Sequence, residues 1–544
     1  MSGVAVAGGG TVAAVDLGAT SGRVVLGHVG RDSVRLQHVA RFANDPVRVP
    51  EGPGVAGGAS FGSGSSGGAD DVASVAAAAP AGAAAPATAA ASAAAADAAP
   101  SLHWDVLGLW ASIQAGLAAA VRVEPEVVSI GVDSWAVDYG LLRAGRLVGL
   151  PYHYRDERNA RAVASVHDTV SAAELYRRTG LAHLPFNTVF QLEADRAAGT
   201  LLLADRALLI PDLIGRWLTG VEATEITNAS TTGLLSPTSG TWDAPLLDSL
   251  GLPASLFAPL VAPGSTVGAL LPAWTASFGA GRAIPVTAVG SHDTASAVVG
   301  VPLADEHAAY ISSGTWSLVG LELDAPVMTA AAQQANFTNE GGVDGRVRFL
   351  KNISGLWMLS ESMRTWDAAS EGAASSTDST RASDLASLLG AAADVTGPVG
   401  VFDAADPRFT PPGDMPSRIH DWCVEHGVRP PGSRAEVVRS ILESLAAAYA
   451  TTLDEAERLS GRTITTVHVV GGGSQNELLC RLTADRTGRT VLAGPVEATA
   501  IGNVLVQARA AGLVPGSSSL ESLRALVRAA FPPVRYEPSV SVRR

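Results

Sequence analysis

An α/β fold in more than one domain is predicted by three features of the chain. Short apolar stretches of strand length alternate with segments of helical spacing, the order expected of α/β architecture. The chain has 544 residues, more than a single hydrophobic core ordinarily organises. Two strand–turn–strand units rich in Gly, Ser and Thr recur, at 16–23 and 312–318.

Taken in order, 11–16 is a short apolar strand ending in the carboxylate of Asp16, and 23–29 returns as its partner. Residues 127–132 form a further strand ending beside Asp133, and 286–289 a strand running into Ser291-His292-Asp293-Thr294. Residues 466–470 run into Gly471-Gly472-Gly473. One long helix is well signalled. Ser433 and Glu436 have capping-box spacing, apolar residues from Val437 to Leu453 keep a helical period, and Gly461 supplies a stop.

Two segments break the pattern. Residues 51–100 are Gly/Ser-rich and then Ala/Pro-rich, with little apolar side chain to offset their ordering entropy, and read as a flexible surface insertion. Residues 368–394 are rich in Ala, Ser and Thr, with a short helix expected around Ser383-Asp384-Leu385.

Bulk properties exclude some functions. The formal net charge of -14 argues against a general nucleic-acid binder, which needs basic surface. The Ala/Pro-rich run is too interrupted to span a membrane, and the first ten residues lack the pattern of a secretory signal. The mean hydropathy of +0.23 owes much to alanine, which has little apolar area to bury. Two cysteines, Cys423 and Cys480, imply no disulfide framework. A cytoplasmic protein is expected, with no nucleic-acid or membrane partner.

Four motifs suit phosphate and sugar chemistry, and each also has a plain structural reading. Asp16 with the turn through Arg23 offers close backbone N–H groups and a carboxylate for hydrated Mg²⁺, or is simply a hairpin turn. Ser312-Ser313-Gly314-Thr315 suits terminal phosphate oxygens, or is a polar hairpin. Gly471-Gly472-Gly473 lets a nucleotide lie against bare backbone, or is a tight turn with Ser474 capping the next helix. It fits neither the Gly-x-Gly-x-x-Gly fingerprint nor a P-loop. Asp293 either caps a helix or accepts the proton of an attacking hydroxyl. Tyr154-Arg155-Asp156 with Arg158, and Lys351-Asn352, are weaker candidates for a ligand wall.

In sequence, these strings resemble the FGGY carbohydrate kinases. The resemblance rests on Ala-Val-Asp-Leu-Gly-Ala-Thr-Ser-Gly-Arg at 14–23, Gly-Val-Asp-Ser-Trp-Ala-Val-Asp-Tyr-Gly at 131–140 and Phe-Asn-Thr-Val-Phe-Gln-Leu at 186–192. It continues through Ser-His-Asp-Thr-Ala-Ser at 291–296, Ser-Ser-Gly-Thr-Trp-Ser-Leu at 312–318, Asn-Glu-Gly-Gly at 339–342, Leu-Lys-Asn-Ile at 350–353 and Val-Gly-Gly-Gly-Ser-Gln-Asn at 470–476. It implies two ribonuclease-H-like (actin-like ATPase) domains, 1–301 and 302–544, with ATP, Mg²⁺ and a small-molecule sugar in the cleft between them. By position it implies that Ala19, Thr20, Ser21, Gly22, Arg23, Thr315, Ser360 and Gly472 meet ATP. Ala136, His292, Asp293, Thr294 and Asn352 would meet sugar, with Asp293 as catalytic base and Asp16 holding Mg²⁺ through water. Two positions depart from the family pattern: Ala136 replaces a usual glycine, and Ser360 a frequent glutamine. Two rival readings are a kinase of the same family for another ketose or polyol, and a non-catalytic actin-like ATP-binding protein.

Overall fold

A computed structural model describes residues 9–50, 100–369 and 378–539. Two large sheets organise them. The first runs, edge to edge, through Thr266–Ala269, Pro285–Thr287, Ile130–Ser134, Gly10–Leu17, Ser21–Gly30 and Ser33–Ala43. The second runs through Val534–Tyr536, Thr490–Ala493, Thr466–Val470, Ala308–Ser313, Ser317–Leu323, Val347–Ile353 and Thr338–Gly341.

The two sheets repeat one plan. In each, a central hairpin (Gly10–Leu17 with Ser21–Gly30, and Ala308–Ser313 with Ser317–Leu323) is antiparallel, and its first strand pairs in parallel with a later strand. In each, the far edge strand is again antiparallel. The echo between the two Gly/Ser/Thr turns is therefore an echo of sheet topology. The strands form because their residues are almost wholly apolar and buried on both faces, as in Gly10–Leu17 and Ala308–Ser313.

Two helices lie between the sheets and fix their approach. Asp293–Gly300 and Ala498–Ala510 pack at near backbone contact, because a Cβ at Gly502 would collide with the Ser296 carbonyl and one at Gly300 with the Ala498 carbonyl. This accounts for the small-residue run after Asp293. From the second helix, Gln507 Nε2 donates to the Ala13 carbonyl (3.1 Å) and Asn503 to Asp133, both in the first sheet. Arg524 joins the Val298 carbonyl (3.1 Å) to Glu322 of the second sheet (2.8 Å).

The long helix is Arg434–Ser460, capped by Ser433 Oγ and stopped by Gly461 in the left-handed region at φ 72°. The Glu436 carboxylate reaches the Gly432 N–H (2.6 Å), one residue beyond a standard capping box. The strand expected from Val127 begins at Ile130, because the Val127 N–H closes a turn on Glu124 after the helix Val106–Val123. The helix expected near Leu385 is Asp378–Ala393. The insertion at 51–100 lies outside the described residues except for Pro100. Its flanks, Pro46–Val49 and Ser101–Trp104, pair antiparallel, so the chain leaves and returns at one place.

Candidate active site

Between the sheets lies a cavity of about 580 Å³. Its walls gather residues from both halves of the chain. Ala19, Thr20, Ser21, Arg23 and Asp16 come from the first hairpin, Ala136 from the strand end after Asp133, His292, Asp293 and Thr294 from the interdomain helix, and Thr315, Asn352 and Gly472 from the second sheet.

Two expected residues are not in those walls. Gly22 is buried beneath the Phe42 ring, where a Cβ would collide, so its glycine is a packing requirement. Ser360 is exposed on the helix Trp357–Ala369 and does not face the cavity. The weaker candidates also separate. Tyr154 lines the cavity, whereas Asp156 accepts from the Leu102 N–H (2.7 Å) and Arg158 pairs with Asp195 (2.6 Å). Lys351 pairs with Glu455 (3.0 Å), while Asn352, the next residue and so on the opposite face, lines the cavity.

Asp293 is the first residue of its helix. The N-cap is His292, and the N-terminus has no side-chain cap bond, so Asp293 is not spent on capping. Thr294 Oγ1 donates to Asp293 Oδ1 (3.0 Å), and His292 Nε2 lies 3.4 Å from the same oxygen. Behind His292 stands a buried pair. Arg348, with no exposed side-chain surface, lies 2.9 Å from Glu340 and 3.0 Å from His292 Nδ1. Glu340 Oε2 lies 3.3 Å from the same ring nitrogen, so a donor and an acceptor both flank His292 Nδ1 and hold the ring in place, with Nε2 toward Asp293. Burial pushes the Glu340 carboxyl up, but the Arg348 charge and the His292 contact outweigh it and hold the pKa below the ordinary value.

The turn carrying these residues is held from the other side by Glu225. Its Oε2 accepts from the Ser291 N–H and from Ser291 Oγ (both 2.9 Å), and it also takes the Thr227 hydroxyl. Ser291 in turn bonds through its carbonyl to the Ser134 N–H (2.9 Å), tying the turn to the first sheet.

One wall of the cavity is aromatic. Trp135, Tyr154, Phe186 and Trp316 line it beside Ala136 and Val137. Val137 has φ 68°, a left-handed conformation costly for a β-branched residue. Asp138 beneath it collects Trp104 Nε1 (2.6 Å), Trp135 Nε1 (3.0 Å), Gln191 Nε2 (2.8 Å) and the Tyr154 N–H (3.2 Å). Burial pushes this carboxyl up to about 7 although all four donors pull it down. Arg155 crosses from this wall to the second half of the chain, 3.9 Å from the centre of the Trp357 ring and donating to the Thr410 carbonyl (3.0 Å).

Another part of the lining is built of turns. Gly471, at φ 80°, lies so close to Ser313 that a Cβ would be 2.8 Å from its carbonyl, and a Cβ at Gly473 would collide with Ser313 Oγ. These two glycines let the turns touch. Gly472 differs, because a Cβ there meets nothing within 4 Å. Neither packing nor backbone conformation demands its glycine, and its bare backbone faces the cavity. The next helix, Glu477–Thr487, is capped by Asn476 (3.0 Å to the Leu479 N–H) and not by Ser474, whose hydroxyl bonds back to the Gly471 carbonyl (2.7 Å). Gly472→Ala is therefore expected to leave the thermal melt unchanged and to raise KM for ATP several-fold. A lowered melt would assign the glycine to folding instead.

Sequence reasoning found no role for Glu340, Arg348, Glu225 or Asp138. Glu340 and Asp138 do fall within strings that carry the family resemblance, which was the available signal.

The N-terminal domain description of the FGGY family of carbohydrate kinases matches residues 93–300, and its C-terminal domain residues 309–511. A rhamnulokinase from Pectobacterium carotovorum subsp. carotovorum is 44% identical over 440 residues, covering 80% of this chain and 84% of its own. One from Bacteroides thetaiotaomicron is 36% identical over 528 residues, covering 96% and 95%. Among solved structures, a ligand-bound xylulose kinase from Lactobacillus acidophilus superposes with a TM-score of 0.69 at 14% identity, covering 97% of this chain and 94% of that one. A xylulose kinase from Rhodospirillum rubrum gives 0.68 at 17%, with the same coverage. These two show the two-domain actin-like fold. Both domains in order, and relatives alike over most of their length, place this chain in the FGGY family of carbohydrate kinases, enzymes that phosphorylate sugars with ATP.

Proposed function

We propose that the chain is a rhamnulokinase, transferring the terminal phosphoryl group of ATP to the primary hydroxyl of L-rhamnulose to give L-rhamnulose 1-phosphate and ADP. The observation that most supports the chemistry is the place of Asp293: uncommitted to capping, in a cleft lined by aromatic rings and by glycine-rich turns. The sugar assignment is supported by the rhamnulokinase relatives, 36–44% identical over most of the chain.

In this reading Asp293 takes the hydroxyl proton as the new O–P bond forms and the bond to the ADP oxygen breaks. Thr294 and His292 both engage Oδ1, which fixes the carboxylate and leaves Oδ2 for the substrate. His292, Thr294, Asn352 and Ala136 contact sugar. Ala19 to Ser21, Arg23, Thr315 and Gly472 surround the nucleotide. The Arg155–Trp357 contact holds the halves together and limits water access to the phosphoryl group.

Mg²⁺ belongs to the same reading, held by Asp16 through water. The residues fit a cation. Burial pushes the Asp16 carboxyl up against the pull of Arg23, and the charges of Asp293 and Glu497 add to it. Burial likewise pushes Asp133 well up, with Asp16 as the next contributor, and its Oδ1 has no hydrogen-bond partner. When bound, the ion would neutralise phosphate charge beside these acids.

A division into 1–301 and 302–544 belongs to the same reading, supported by a first sheet whose strands all precede Val301 and a second whose strands all follow Pro302. A cytoplasmic location is supported by two unpaired, buried cysteines. Among the described residues one helix, Val106–Val123, is long and apolar enough to span a membrane, and it packs on the first sheet through Ile113, Leu117 and Ala120.

ADP release measured with L-rhamnulose, L-fuculose, xylulose and glycerol tests the assignment. L-rhamnulose is expected to give the highest kcat/KM, and Ala136→Gly is expected to widen acceptance of the others. Equal rates across the panel would defeat the sugar assignment. ADP release unaffected by any sugar would favour a non-catalytic ATP-binding protein.

A further inference from the structure

Arg41 is a cavity-lining cation that no motif singled out. It stands on the edge strand Ser33–Ala43 directly across from Arg23 on Ser21–Gly30. Two like charges opposite one another on one sheet face destabilise the pairing unless each meets an anion. Arg23 does: it is bonded to Asp16 (2.7 Å) and to Glu497. The exposed Arg41 side chain forms no ion pair and no hydrogen bond with any described residue.

The cavity's charges show what Arg41 faces. Its acidic lining residues are Asp16, Asp293, Glu340 and Glu497. Arg348 balances Glu340 from behind, and Arg23 is shared between Asp16 and Glu497. The remaining field is acidic and repels a polyphosphate. Arg41 is, among the described residues, the lining arginine whose charge is not already taken.

Its position is also fixed relative to the first Gly/Ser/Thr turn. Three residues on, Asn44 donates through Nδ2 to the Gly18 carbonyl (2.7 Å) and through its backbone N–H to the Thr20 carbonyl (3.1 Å). Between them Phe42 covers Gly22. The end of the edge strand is thus stitched to the turn expected to hold phosphate.

We propose that Arg41 binds the phosphate chain of the nucleotide, supplying the positive charge that Arg23 cannot. This rests on the kinase reading for the presence of a nucleotide but not on which sugar is used. A guanidinium suits the task because it offers paired donors to phosphate oxygens and is always charged.

Calorimetric titration of the full-length protein with ADP, AMP and adenosine, each with Mg²⁺, tests it. Arg41→Gln is expected to weaken ADP by about 10-fold or more and to leave adenosine and the thermal melt unchanged. Arg41→Lys is expected to recover part of the ADP affinity. ADP affinity within about twofold of wild type in Arg41→Gln would overturn the proposal, since a charged hydrogen bond is worth more. Equal weakening of ADP and adenosine would overturn it too, by showing a structural role. So would an altered KM for sugar with unchanged ADP binding. Absence of any adenine-nucleotide binding by the wild-type protein would instead bring down the kinase reading itself and this proposal with it.

Discussion

Asp293→Asn is expected to lower kcat by about 10²–10⁴-fold, the usual worth of a positioned general base, while ATP affinity stays close to wild type. The substitution keeps size and the Thr294 contact but removes the acceptor for the hydroxyl proton. A sugar hydroxyl is a poor acid, so the loss falls on the chemical step and not on nucleotide binding. Asp293 is half-exposed in the cavity wall, not buried in the core, so the fold should survive. A coupled ADP assay with saturating sugar reads the first effect, and titration with ATP the second. A near-normal kcat would remove Asp293 from the base role.

The second large effect is on stability. Arg348→Met is expected to destabilise the protein by about 3–5 kcal/mol, because it strands a buried carboxylate whose partner is gone. Glu340 is held ionised chiefly by Arg348, and the Arg348 side chain is fully buried. The linkage has a direction. With its folded pKa depressed, Glu340 contributes stability above its unfolded pKa and loses it as pH falls through the folded value. The double variant Arg348→Met/Glu340→Met should recover much of the loss, since no lone charge remains. It should not recover activity, because His292 has lost both charged groups that hold its ring in place. Equilibrium denaturation of the three variants measures this. A single variant as stable as wild type would mean that the pair is not coupled as described.

What the sequence disclosed was local. Asp293, the two hairpin turns and the triple glycine each lie within a few consecutive residues, so spacing and residue type reveal them. The alternation of Lys351 and Asn352 followed the period of a strand, although only the structure says which of the two faces inward. What stayed hidden depends on contacts across the chain. His292 and Arg348 are 56 positions apart, and Ser291 and Glu225 are 66. No periodicity links them, and a buried Glu or Arg looks like any surface charge until its partner is known. Gly22 shows the opposite case. It lies inside a phosphate-like string, yet its lack of a side chain serves the Phe42 ring. Ser360 stands where the family resemblance implies a nucleotide-contacting glutamine, and the helix that carries it turns it to solvent.

The repeated topology explains why the site needs both halves. Each sheet contributes one turn at the same point of the same plan, and the packed helices Asp293–Gly300 and Ala498–Ala510 set their separation. Catalysis by positioning asks for such a frame, since phosphoryl transfer depends on alignment and charge more than on covalent help.

The most direct test is a crystal structure of the full chain with ADP, Mg²⁺ and L-rhamnulose bound. The sugar's primary hydroxyl oxygen is expected about 2.6–3.2 Å from an Asp293 carboxylate oxygen, on the side facing the nucleotide. A sugar seated with that hydroxyl turned away from Asp293, or bound outside the cleft, would contradict it.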